Sequence, residues 1–374
     1  MNSKKQLNTK TTLLDVVTMK VISILILFCF LLTNLSLFAQ KAPVFIPDNI
    51  EYEPEEGGCV CSPGVINKSP GKGLLIEYKL TSGGSFTPDE VATGINPSKV
   101  NNLERLRFRL KIPVVIKPKV KVLIGLDHFR ENYSFNFIQP EFASQLNLLD
   151  NTVLKTSRIT GYYLQSIGES NYLGLQVRGA FSGDYDGIID TDPFFRQIRA
   201  SAIWGIKKRD DLEWGIGVLY SDNFTRKRVL PFFLYNRTYN ERWGLEAAFP
   251  VSVLMRYNFT PTKLLLFGPE FSSASYALRG EQDRLEDDQF FRHTELQFGA
   301  KYEQKISSWV WASIHAGLQV NFDSRYERVQ DIDELFEPDL ITGAFLKIGL
   351  FLSCLLYTSP SPRDATLSRM PSSA

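Results

Sequence analysis

The segment LERLRFRLKI, Leu103 to Ile112, puts Leu106, Phe108, Leu110 and Ile112 on one parity and Arg105, Arg107, Arg109 and Lys111 on the other. A strand turns successive side chains to opposite faces, so a period of two this strict describes a strand with one apolar and one charged face. The pattern recurs along the chain. YLGLQVRGAF alternates Leu173, Leu175, Val177 and Phe181 with Gly174, Gln176, Arg178 and Ala180, and VWASIHAGLQVNF alternates Val310, Ala312, Ile314, Ala316, Leu318 and Val320 with Ser313, His315, Gly317, Gln319 and Asn321. Strands of about ten residues cross a bilayer when tilted.

Further strands are predicted at Leu74 to Gly83, Lys119 to Arg130, Val153 to Ile167, Arg196 to Lys207, Leu212 to Ser221, Arg228 to Asn236, Trp243 to Phe249, Val251 to Tyr257, Lys263 to Leu278, Phe290 to Lys305 and Ile341 to Ser353. Tight connections (KPK, GES, KKRDD, TYNER, TPTK, SS) alternate with long ones after Arg130, Ser182, Leu278 and Phe322, the arrangement of an outer-membrane barrel. Breaking WGLEAAFPVSVLMRYNF at Pro250, which cannot donate to a ladder, keeps that alternation and brings the count to about 14 strands, with about 12 as the alternative. The predicted fold is therefore all-β, a transmembrane antiparallel up-and-down β-barrel over residues 74–353. Trp204, Trp214, Trp243, Trp309 and Trp311 all fall beside a tight turn, as an aromatic girdle at one interface requires. The longer connections DYDGIIDTD, EQDRLEDD and DSRYERVQDIDELFEPD are acidic, whereas SDNFTRKR reads as a basic loop.

Forty-two basic side chains against 41 acidic ones give a formal net charge of +1, a near-neutral balance with no nucleic-acid signature. VISILILFCFLLTNLSLFAQ, preceded by Met19-Lys20, has the charged start, apolar run and small-residue end of a secretory signal, so residues 1–40 read as a signal peptide whose true start is Met19. Residues 41–73 are rich in Pro and Gly and read as an extended periplasmic segment outside the core. Cys59 and Cys61 within it are too close for an unstrained disulfide between them. The closing GAFLKIGLFLS is expected as the last strand. CLLYTSPSPRD, with SRMPSSA after it, resembles the in-frame translation of a sequencing-library adapter, so residues 354–374 are expected to be adapter-encoded.

The charged strand faces carry the functional expectation. Arg105, Arg107, Arg109, Lys111, Arg178 and Arg199 come from the first half of the sheet, and Glu213, Glu246, Glu295 and Glu303 from the second, with His293 and His315 on the same parity. In a closed barrel the halves become opposite walls, which would set a transverse field across a water-filled lumen and orient small polar solutes. The competing expectation is that these charges pair with one another, or with IQPEFASQLNLL folded inward, and plug the barrel.

Two chemical readings compete with transport. His293 and His315, near Glu295 and Ser313, would serve an outer-membrane hydrolase, although no nucleotide loop, HExxH or GxSxG accompanies them. SGDYDGIIDTD partly matches a calcium loop through Asp184, Asp186, Asp190 and Asp192, with Ser182 and Pro193 standing where ligands are needed, so calcium is the one cofactor to test.

The signal segment, YSDNFTRKRVLPFF, NERWGLEAAFPVSVLMRY and GAFLKIGLFLS together resemble a family of uncharacterised outer-membrane β-barrel proteins, domain of unknown function 6268. The resemblance implies a barrel over Leu74 to Ser353 in the outer membrane, and no substrate or catalytic residue. The expected function is a pore or small-solute channel with a charged lumen. The alternative is a non-conducting structural or surface-interaction barrel with acidic cation-binding loops, and the third is a hydrolase. The expected partners are outer-membrane lipid, small polar solutes and the barrel-assembly machinery; the sequence leaves oligomeric state open.

Overall fold

A computed structural model describes residues 64–82, 85–86, 98–138, 149–150, 152–224, 226–279, 288–328, 334–336 and 342–353. All lie in the second of two compact units, Gly57–Ala374. The signal segment, Cys59, Cys61 and residues 354–374 fall outside the described residues.

Fourteen strands form the wall: β1 Lys72–Ser82, β2 Ser98–Ile116, β3 Val120–Phe137, β4 Val153–Ile167, β5 Asn171–Gly183, β6 Arg196–Arg209, β7 Leu212–Asn223, β8 Arg226–Thr238, β9 Trp243–Phe249, β10 Ser252–Thr260, β11 Lys263–Leu278, β12 Gln289–Lys305, β13 Val310–Arg328 and β14 Gly343–Ser353. Each pairs antiparallel with the next, and β1 pairs with both β2 and β14, from Leu75↔Phe351 to Ser82↔Ala344, so the sheet closes. Two short ribbons, Ser85–Phe86 and Glu334–Phe336, extend β2 and β13 beyond the wall.

The alternation read from the sequence sorts the side chains. Ile76, Phe108, Ile112, Val114, Ile159, Val177, Ile216, Val218, Phe298, Leu318 and Val320 point outward and are exposed, while their neighbours in the chain face a filled interior. Left in water, each such side chain would forgo about 1.5–3 kcal/mol of burial. A closed sheet with this apolar outer belt is the architecture that satisfies every backbone group inside a bilayer, and it places the chain in the outer membrane. Among the described residues no helix is long and apolar enough to cross a membrane.

Pro250 and Val251 do form a hairpin turn between β9 and β10. Several extents differ from expectation. β2, β3 and β13 run to 19, 18 and 19 residues, well above the bilayer-crossing minimum, because polar and apolar residues keep alternating through ENYSFNF and past Phe322. SDNFTRKR is not a loop: β7 runs to Asn223 and β8 starts at Arg226, so the basic residues lie on a hairpin. In β13 a bulge opposite Thr294/Glu295 shifts the parity, turning Ser324 and Tyr326 inward.

Two regions depart from a uniform cylinder. At the tight-turn end, residues 66–69 enter the barrel: Ile66 donates its N–H to the Asp210 carbonyl, its own carbonyl accepts from Thr238 and Arg256, and Ser69 Oγ donates to Glu303 at 2.5 Å. The end of the N-terminal segment is thus core, against the expectation for residues 41–73, because it carries backbone donors and acceptors that the polar inner wall can satisfy. At the long-loop end, β11 outruns the short β9–β10 hairpin and its free edge meets β5: Ser182 Oγ donates to the Ser275 carbonyl at 2.6 Å and Gly183 pairs with Ala277. A Cβ on Gly183 would sit 2.3 Å from the Ala277 carbonyl oxygen, so this contact requires glycine.

Candidate functional site

The inner wall carries three groups of charge. In the first, Glu131 on β3 accepts from Arg105 on β2, and His293 on β12 lies between Glu131 at 3.4 Å and Glu295 at 3.3 Å. Lys79 from β1, only 1% exposed, bonds Glu295 at 3.0 Å and also reaches Gln319; Gln297 links Glu295 to Lys347 at 2.8 and 2.6 Å. Charges this deep persist only when paired and hydrogen-bonded, and here the pairs bridge four strands. Above them Phe291, Tyr326, Tyr276 and Tyr133 pack with Leu103, Phe129, Leu154 and Leu149 into an aromatic cluster filling the lumen. Of IQPEFASQLNLL only the two ends are among the described residues: Leu149 is buried in this cluster and Ile138 packs against it.

The second group sits at the tight-turn end. Glu303 binds Lys72 at 2.8 Å, Glu246 binds Arg256 at 3.0 Å and Lys68 at 3.9 Å, and Glu213 accepts from Tyr172 and Asn236 at 2.6 and 2.7 Å. Every glutamate expected on the acidic wall therefore has a partner. Opposite walls of unlike charge are not what forms, because each carboxylate recruits a nearby cation or donor.

The third group is different. Asp127 on β3 holds Arg107 at 2.5 Å, Arg158 at 3.5 Å and Arg109 at 3.8 Å. Lys111 lies over the Tyr162 ring, Arg178 donates to Thr160 at 3.3 Å, and Arg199 is the cross-strand neighbour of Arg178. Among the described residues no carboxylate lies within ion-pair distance of Arg178 or Arg199. Five arginines and a lysine thus share one stretch of inner wall with two carboxylates, Asp127 and Glu77, the latter the cross-strand neighbour of Arg107.

His315 stands 3.7 Å from Glu270 and edge-on to Phe345, away from His293. Ser313 donates to the Gly349 carbonyl, so the expected His/Ser constellation is not brought together. The acidic loop does not converge either: Asp184 accepts from the Arg279 N–H, Asp190 from the Asp192 N–H, and Asp192 from the Phe194 N–H and the Arg279 guanidinium. Asp186 is exposed. Among the described residues no three His, Cys, Asp or Glu could hold a metal ion together. Asp190 and Asp192 cap the loop's own turns, as Asp side chains do, and Asp184 and Asp192 tie the loop to Arg279.

Trp204, Trp214, Trp243 and Trp309 are exposed on the outside beside tight turns, as a girdle requires. Trp311 is not part of it: 6% exposed, it stacks on Phe351 inside the barrel with Leu75, Leu264 and Leu266. Trp309 occupies the turn, so the strand parity beginning at Val310 sends Trp311 inward with Ser313 and His315. The inner-wall residues not anticipated include Lys72, Glu77, Lys79, Asp127, Glu131, Arg158, Arg256, Glu270, Lys301 and Lys347. Asp127 and Lys79 were within predicted strands on the inward parity, whereas Glu131 lay one residue beyond a strand expected to stop at Arg130.

A closed, membrane-spanning antiparallel β-barrel of 14 strands defines the class. The chain belongs to the family described as a domain of unknown function, DUF6268, whose model matches residues 159–353. No curated protein matches it. Among solved structures it is similar to an outer membrane channel from Pseudomonas putida F1 (10% identity, 77% of this chain and 99% of that one, TM-score 0.36). It is also similar to the KdgM porin in complex with disordered oligogalacturonate (7%, 75% and 99%, TM-score 0.30) and to a TodX monoaromatic hydrocarbon channel mutant (9%, 76% and 91%, TM-score 0.30).

Proposed function

We propose that this protein is an outer-membrane channel for small anionic solutes, occluded in the state described. The observation that carries the reading is the excess of Arg107, Arg109, Lys111, Arg158, Arg178 and Arg199 over Asp127 and Glu77 on one inner wall. A cleft with an excess of one sign of charge between low-dielectric walls concentrates the opposite ion. Residues 66–69 and the aromatic cluster around Phe291 supply the occlusion, and the former is held by a few exchangeable hydrogen bonds.

Single-channel recording on the full mature chain in planar bilayers tests it. The expected result is gated conductance with an anion-directed reversal potential in a salt gradient, and more frequent opening in Thr238→Ala/Asn258→Ala, which removes two side-chain anchors of residues 66–67. Arg178→Glu/Arg199→Glu should reduce or reverse the selectivity. A folded barrel that stays silent in both forms would overturn the channel and favour a structural barrel, the reading supported by its densely paired interior.

A further inference from the structure

The strand registers leave an interruption in the wall. β9 pairs with β8 only from Phe233 to Thr238, and β10 pairs with β11 only up to Glu270, with one further bond from the Phe271 N–H to the Val251 carbonyl. Above the β9–β10 hairpin, residues 226–232 of β8 therefore have no strand paired on that edge, and β11 beyond Phe271 has no β10 partner on its corresponding edge. The β11 edge turns away to β5, where the Ser275 carbonyl also accepts from Gln197. The β8 edge carries Pro231, which has no donor to satisfy, and its residues are open on both faces: Val229 is 65% exposed outward and Leu230 45% exposed on the inward parity. Irregular or unpaired backbone at membrane depth is tolerated where it lines a cavity.

The inner face beside this gap is layered. Cross-strand pairing places Arg178, Arg199, Ser221 and Arg228 in one row across β5–β8. The next rows toward the tight turns hold Leu219 with Leu230, then Ile203 with Phe232, then Leu234. Gly217 makes room for this surface, since a Cβ there would meet the Phe232 ring at 2.4 Å. A row of three guanidiniums thus borders an apolar floor, and both are reached from the side of the barrel past a β8 edge that carries Val229 and Pro231, with Phe271 and Ser273 on the β11 side. The outer face of the neighbouring strands continues apolar through Val177, Ile198 and Val218.

We infer that the gap between β8 and β11 is a lateral port through which a single-chain alkyl carboxylate moves between the outer leaflet and the inner face of β5–β8. Its tail lies on Leu219, Leu230 and Phe232, and its head group accepts from Arg178, Arg199 and Arg228. Bidentate guanidinium donation suits a carboxylate, and an occupant arriving from lipid must be largely apolar. The inference deepens the anion-channel reading and rests on it for onward passage.

The test uses the full mature chain in phosphatidylcholine nanodiscs, with dodecanoate bearing a nitroxide near its methyl end and the matching uncharged alcohol as control. Electron spin resonance should show a saturable immobilised fraction for the carboxylate, relaxed by dissolved oxygen in preference to an aqueous nickel chelate. Arg178→Gln/Arg199→Gln and Leu219→Ser/Leu230→Ser should each weaken it about tenfold, while Arg178→Lys/Arg199→Lys, with charge retained, should keep most of it. Equal immobilisation of the alcohol, or unchanged binding in both disruptive variants, overturns the port. Anion current without carboxylate binding sinks this inference and leaves the channel; binding without current does the reverse.

Discussion

At the scale of single residues, Glu131 decides whether the interior is consistent. It is fully buried and accepts from Arg105 and from Tyr133 at 3.4 Å, with His293 facing its second oxygen. Glu131→Gln keeps the shape and removes the charge, leaving a buried guanidinium without its counterion, and should cost about 3–5 kcal/mol in urea unfolding from vesicles. Glu131→Leu combined with Arg105→Met should cost less than Glu131→Gln alone. Gly205 offers a purely steric counterpart: a Cβ there would lie 2.0 Å from the Tyr172 ring, which Glu213 pins through its hydroxyl. Gly205→Ala should destabilise by about 1–3 kcal/mol and partly recover with Tyr172→Leu. Which residues face inward was legible at this scale, because parity is local: Arg105, Arg107, Arg109 and Lys111 are all on the inner wall. Which partner each would take was not, because Lys79 meets Glu295 across 216 positions and nothing in a period of two encodes that distance.

Among the elements, legibility followed the same division. Strand existence and the alternation of tight and long connections could be read, since each depends on a dozen neighbouring residues. The merging of β5 with β11 could not, since it follows from β9 and β10 being short, and length matters here only relative to strands elsewhere in the sheet. The segment 184–195 between β5 and β6 packs Phe194 and Phe195 with Tyr185 and Phe290 and is tied down by Asp192. Hydrogen bonds from the Phe194 N–H and from Arg279 hold the Asp192 carboxyl below its ordinary value of 3.8. A depressed carboxylate contributes its stabilisation above that ordinary value and loses it as pH falls through the folded one. Acidification below pH 3.8 should therefore speed amide exchange in this segment, after correction for the intrinsic rate, and Asp192→Asn should reproduce part of the effect at neutral pH.

For the whole molecule, the decisive distinction is between a belt that touches lipid and a wall that touches the interior. Val177 and Gln176 are adjacent in β5 and point oppositely, one exposed on the outside and the other on the inner wall. Val177→Arg should make insertion into vesicles less favourable, by up to about 2–4 kcal/mol, whereas Gln176→Arg should change it little. A similar cost for both would mean that the outer belt does not face lipid. The seam has a consequence in time as well as in space. β1 is the first strand of the barrel to leave the ribosome and is sandwiched in the end between β2 and β14, the last to be made. Its Lys79 cannot find Glu295 until nearly the whole chain exists, so an early intermediate must shelter a lysine with nowhere to go. The same ion pair that finishes the interior thus makes closure a late, all-or-nothing event, and its loss should alter the rate at which the barrel matures more than the shape it reaches.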